Sequence, residues 1–155
     1  MTERLVVDAS VIAKVYLRDE ENSDVARDLV ARFTRGALDL IAPQYILYEL
    51  PSAILNAVRQ QRLGADIAVQ AVEAFLRLEL PTVGGDANLP AMIQRGYELA
   101  QNLSCRLYDA LYLAVALEFD CPLVTADARL HRGLSSRVSQ LVWIGDYRPE
   151  APVSS

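Results

Sequence analysis

The sequence is poor in the residues from which most redox, zinc and basic-surface chemistry is built. It holds two cysteines and one histidine in 155 residues. Cys105 and Cys121 match no zinc-ligand spacing, and both are expected to be buried as small hydrophobes. His131, between Leu130 and Arg132, falls in what reads as a short surface helix, so histidine-held metals and Ser-His-Asp chemistry lose their support. Lysine is scarcer still: Lys14 stands alone beside 14 arginines, and the net charge is −5. Such a balance argues against tight non-specific nucleic-acid binding, which rests on a basic surface, but leaves room for an acidic pocket rimmed by arginine. No apolar run approaches the ~20 residues that a membrane span requires. The opening MTERLVVDAS carries Glu3 and Asp8 where a signal peptide is apolar, which points to a cytoplasmic protein.

What is present is an ordinary globular composition, 52% hydrophobic and 23% charged. A chain of this length suits one domain, expected over residues 1–147, with a flexible tail over 148–155. Short apolar runs alternate with longer helical patterns. RLVVD (4–8), DLIA (39–42), LPTV (80–83), PLVTA (122–126) and QLVWI (140–144) read as strands. Helices are expected over 10–17, 22–33, 44–62, 66–78, 89–102, 109–119 and near 127–134. In the fourth of these, Ile67, Ala71, Phe75 and Leu78 form an apolar stripe suited to the core or to a dimer face. Strands alternating with helices imply an α/β fold with a mainly parallel sheet covered on both faces. In such sheets ligands bind beyond the carboxyl ends of the strands, at a topological switch point.

Acidic residues gather at that edge. The first strand ends on Asp8 and the fourth on Asp127. Asp109 opens the apolar run Ala110 to Leu117, where it suits a helix cap, and the helix it begins leads into the fourth strand. Glu49 lies in QYILYELPSAIL, two residues before Pro51, so a helix there is expected to kink or to begin near Glu49. Like charges about 4 Å apart repel by roughly 4 kcal/mol at an effective dielectric near 20. Converging acids must therefore be protonated or hold a cation. A site of carboxylates without usable His or Cys suits hard ions such as Mg²⁺ or Mn²⁺. Such ions serve phosphodiester hydrolysis by lowering the pKa of water and offsetting charge on the phosphate. Ser10 and Thr125, beside the acids in D8-A-S10 and T125-A-D127, are the small hydroxyls that would orient water or phosphate, or cap and turn the chain. The motif of a P-loop and the G-x-G-x-x-G of a dinucleotide site are missing. A phosphoacceptor receiver domain fits poorly, because the lone lysine lies in the first helix.

VVDASVIAKVYLRDE, YELPSAIL and YDALYLAVALEFDCPLVTADARL resemble the PIN domain, and within it the VapC-type toxins of toxin–antitoxin pairs. The resemblance runs over roughly residues 5 to 144. It implies a three-layer α/β/α fold with a five-stranded parallel sheet, and an endoribonuclease that depends on Mg²⁺ or Mn²⁺. By the same resemblance Asp8, Glu49, Asp109 and Asp127 are the catalytic and metal-binding acids, with Thr125 the small hydroxyl before the last. It further implies a homodimer and a VapB-type antitoxin as partners, with RNA as substrate. One departure stands out: the family often shows Glu-x-Ala-Asn where this chain has Glu49-Leu50-Pro51-Ser52. The alternative is a catalytically inactive binding module on the same fold.

Overall fold

The computed structural model describes residues 2–149; most of the expected tail, from Glu150 on, lies outside them. Five strands form one parallel sheet in the order β3-β2-β1-β4-β5. They are β1 (Arg4–Val7), β2 (Asp39–Pro43), β3 (Thr82–Val83), β4 (Leu123–Thr125) and β5 (Leu141–Trp143). The central strands are apolar on both faces because helices cover both faces: Leu5, Val6, Val7, Leu40, Leu123 and Val124 are all fully buried.

Seven helices connect the strands. They are α1 (Ala9–Tyr16), α2 (Ser23–Thr34), α3 (Ile46–Arg59), α4 (Ala65–Arg77), α5 (Leu89–Leu103), α6 (Leu107–Glu118) and α7 (Ala128–Leu134). The chain steps outward from β1 to β2 to β3, then returns over the sheet to β4 and β5. Right-handed crossovers therefore place α1 to α4 on one face and α5 to α7 on the other. The packing agrees, since α1 meets α2 and α3, α3 meets α4, α5 meets α6, and α7 lies on β4 and β5. The three-layer arrangement follows. Its switch point lies between β1 and β4, where the two directions of travel diverge.

Helix α6 explains its own composition. It is packed on α5 and against β1, β2 and β4, so Ala110 through Ala116 are buried without a break. Gly96 of α5 lets the two helices close: a Cβ there would lie 2.6 Å from Leu111 Cδ2. The apolar run outlasts the burial by one residue, Leu117, which is 44% exposed.

Several local expectations need correction. Helix α6 begins at Leu107, and its N-cap position is Arg106, so Asp109 stands in the first turn and does not cap it. Helix α3 begins at Ile46, three residues before Glu49, and continues through Pro51. On α4 the buried stripe is Ala68, Ala71 and Phe75, whereas Ile67 is 57% exposed. Cys121 is buried but Cys105 is only half-buried.

Truncating Leu113→Ala should cost about 2–5 kcal/mol in denaturant unfolding. Leu117→Ala, one turn along the same apolar run, should stay within about 0.5 kcal/mol. Equal losses at the two positions would contradict this placement of α6.

Candidate active site

The register of the sheet assembles the centre of the site. Val6 lies opposite Leu123 and Val7 opposite Val124, so the next residues along, Asp8 and Thr125, arrive side by side. Thr125 Oγ1 donates to Asp8 Oδ2 at 2.5 Å and accepts from the Asp127 N–H at 3.0 Å. Asp8 is also the N-cap of α1, its Oδ1 accepting from the Val11 N–H at 3.3 Å. The Ser10 hydroxyl donates to the same Oδ1 and accepts from the Ala126 N–H at 3.0 Å. Two connections, one after each strand, are thus fastened through one buried carboxylate.

Asp127 caps α7, its Oδ1 accepting from the Arg129 and Leu130 N–H groups at 3.0 and 3.1 Å. Its other oxygen lies 3.5 Å from the Arg129 guanidinium. That same guanidinium donates to Asp109 Oδ2 at 3.0 Å. Arg129 therefore bridges two of the acids. Glu49, in the first turn of α3, accepts from the Tyr112 hydroxyl at 3.2 Å. Tyr112 stands three residues after Asp109, on the same side of α6.

The four predicted acids thus reach the carboxyl edge of the sheet from four different segments. Asp8 and Asp127 are joined through Thr125, Asp127 and Asp109 through Arg129, and Glu49 is held by Tyr112. Among the described residues, no three acidic, histidine or cysteine side chains stand close enough to hold one ion together as they are placed. Arg106 is exposed. Tyr112 and the bridging contact of Arg129 were not foreseen. The legible signal for Tyr112 was a polar tip in an otherwise apolar run, one turn from Asp109.

Beside the cluster a cavity of about 330 Å³ opens between α1 and α3. Its lining is mixed, with Ser10, Lys14, Glu20 and Arg62 among the polar residues and Leu17 and Ala126 among the apolar ones. Glu20 accepts from Lys14 at 3.0 Å and from Arg62 at 2.7 Å, so the lone lysine is committed to an ion pair.

Burial dominates the electrostatics. It pushes the Asp8 carboxyl up to about 6, against the hydrogen bonds from Ser10, Thr125 and Val11 that favour the charged form. It pushes Glu49 up to about 7, aided by the charges of Asp8, Asp109 and Asp127 and opposed by the Tyr112 hydroxyl. Burial, then the charges of Glu49 and Asp8, hold the Tyr112 phenol well above its usual range. Both carboxyls ionise at higher pH folded than their ordinary 3.8 and 4.5. The native state therefore holds more protons than the unfolded chain across that interval, and the contribution of these groups to stability falls as pH rises. In a metal chelator the melting temperature should decline between about pH 4 and about pH 7, and less steeply in Asp8→Asn. An unchanged slope in that variant would contradict the assignment.

A comparison with protein families matches the PIN domain over residues 5–133. VapC ribonuclease Mb0985 of Mycobacterium bovis is 35% identical over 129 residues, which is 81% of this chain and 87% of that protein. Ribonuclease VapC1 of Mycobacterium tuberculosis is 28% identical over 130 residues, 83% and 89% of the two chains. Among solved structures, that of PAE2754 from Pyrobaculum aerophilum superposes with a TM-score of 0.65 at 19% identity, covering 94% of this chain and 93% of that one. That likeness speaks for the fold alone. The family match over most of the chain, joined to the parallel sheet and the acids at its carboxyl edge, means that this chain belongs to the PIN domain family.

Proposed function

We propose that the protein is a metal-dependent endoribonuclease that hydrolyses RNA phosphodiester bonds and serves as the toxin of a toxin–antitoxin pair. The observation that carries this reading is the Asp8–Thr125–Asp127 connection at the switch point, with Asp109 and Glu49 reaching the same edge. Relatives that bear the name VapC ribonuclease support it.

The donor set suits Mg²⁺ or Mn²⁺, being carboxylates and hydroxyls without imidazole or thiolate. Asp8 and Asp109 would be the principal ligands, with Asp127 and Glu49 completing the site directly or through water. When bound, the ion supplies a lower pKa to water and offsets charge developing on the phosphate. The protein's own groups do the rest. Thr125 and Ser10 spend their protons on Asp8, so they act by holding that carboxylate in one orientation. Glu49, whose carboxyl accepts from the Tyr112 hydroxyl, is held in place at the edge of the cluster by that bond. For partners, an apolar groove between α3 and α4, lined by Pro51, Leu55, Val58, Val69 and Val72, suits an antitoxin or a second copy of the chain.

Arg129 is the cation that balances Asp109 and Asp127 when no metal is bound, and an entering ion must compete with it. A half-exposed ion pair is worth about 0.2–1 kcal/mol. Arg129→Gln should therefore tighten Mn²⁺ binding in calorimetry about 1.4- to fivefold; weaker binding would contradict this role.

The reading itself is tested by incubating single-stranded RNA with the purified protein and Mg²⁺ or Mn²⁺. Cleavage is expected, with a loss of about 100-fold or more in Asp8→Asn. Equal cleavage by wild type and variant would sink it, and absence of cleavage with either ion would favour the binding-module alternative.

A further inference from the structure

Tyr108 immediately precedes Asp109, and Tyr45 stands one turn before Glu49, so two aromatic rings are tethered to two different acids of the cluster. The rings stack on each other, with centroids 4.2 Å apart and planes within 12°. They come from separate elements: Tyr45 at the N-cap position of α3 and Tyr108 in the first turn of α6. A stacked pair that served only to fasten two helices would gain most by burying both rings. Here Tyr45 is half-buried beneath, while Tyr108 is 49% exposed.

A protein that acts on RNA with this composition has a binding problem. Its net charge is −5 despite 14 arginines, and its lone lysine is paired with Glu20. Arg129, the arginine nearest the acids, is engaged by two of them. Carboxylates repel phosphates, so the cluster supplies no affinity for the strand by itself. Stacking needs no positive charge and accepts every base, because every base has a π-face.

We propose that the Tyr45–Tyr108 stack is a platform for a nucleobase of the RNA substrate, placed beside the phosphate on which the acids act. This rests on the nuclease reading given above. Tyr45 stands one helical turn before Glu49, on the same side of α3, and its ring carries that of Tyr108, so the platform lies beside that acid and addresses a nucleotide close to it. Tyr108, the more exposed ring, would present its far face to the base, with Tyr45 stacked behind it. Sequence preference at that position is expected to be weak and to follow stacking strength, because a π-face reads no hydrogen-bond pattern.

The test uses a fluorescein-labelled single-stranded RNA about ten nucleotides long. Its dissociation constant is measured by anisotropy in an Asp8→Asn background that does not cleave, and KM and kcat are measured with Mn²⁺ in the otherwise wild-type chain. Base stacking of about 1–3 kcal/mol predicts binding weaker by about 5- to 150-fold in Tyr108→Ala and Tyr108→Leu. The loss should appear in KM more than in kcat. Tyr108→Phe keeps the ring and should recover binding to within about twofold of wild type. An abasic nucleotide at the stacked position should weaken wild type but not Tyr108→Leu, which separates stacking from loss of fold. Wild-type affinity in Tyr108→Leu, or a Phe variant as weak as Ala, overturns the platform while leaving the nuclease reading intact. If the wild-type chain neither binds nor cleaves the RNA, the nuclease reading fails and the platform with it.

Discussion

The hydrogen bond from Thr125 to Asp8 ties the fold to its chemistry. It spans 117 residues of sequence, yet it needs only that β1 and β4 pair in parallel with Val7 opposite Val124. A slip of one residue would turn Thr125 to the other face and leave the Asp8 carboxyl buried without its partner, at a cost comparable to a lost charge-assisted hydrogen bond. The register that buries Leu5, Val6, Leu123 and Val124 is therefore the register that sets Asp8 beside Thr125. Core packing and site geometry are specified by the same strand pairing.

The cluster carries its own strain and its own remedy. Asp8 and Glu49 are driven toward the neutral form mainly by burial, while Asp109 and Asp127 share one arginine. Protonation and an internal ion pair are the two ways a metal-free protein can tolerate several acids at one edge. A divalent ion would replace both at once. Helix α6 couples the halves of the cluster, since Asp109 meets Arg129 and Tyr112 meets Glu49 from the same buried helix.

Much of this was legible in the residues. Continuous apolar runs at β1, β2 and β4 marked buried parallel strands, and each of the first and fourth was followed within two residues by an acid. The identity of α6 as the most enclosed helix followed from its lack of a polar face. What escaped were details that depend on contacts distant in sequence. Asp109 in the pattern LYDALYLA suits a cap, but the chain enters the helix two residues earlier, which frees the carboxylate for Arg129. Pro51 suggested a start or a kink near Glu49, yet α3 begins three residues earlier and runs through the proline, its packing on α1 and α4 holding a turn that local propensity disfavours. The Tyr112 hydroxyl and the Tyr45–Tyr108 stack join elements that periodicity alone cannot place against each other.

The central claim is that this carboxylate edge is built for a divalent cation. Anomalous diffraction from a crystal grown with Mn²⁺ tests it most directly. The account predicts a peak about 2.0–2.6 Å from carboxylate oxygens of Asp8 and Asp109, with the Arg129 guanidinium turned away from Asp109. A map with no peak at the carboxyl edge of β1 and β4, and Arg129 still bridging Asp109 and Asp127, would contradict it.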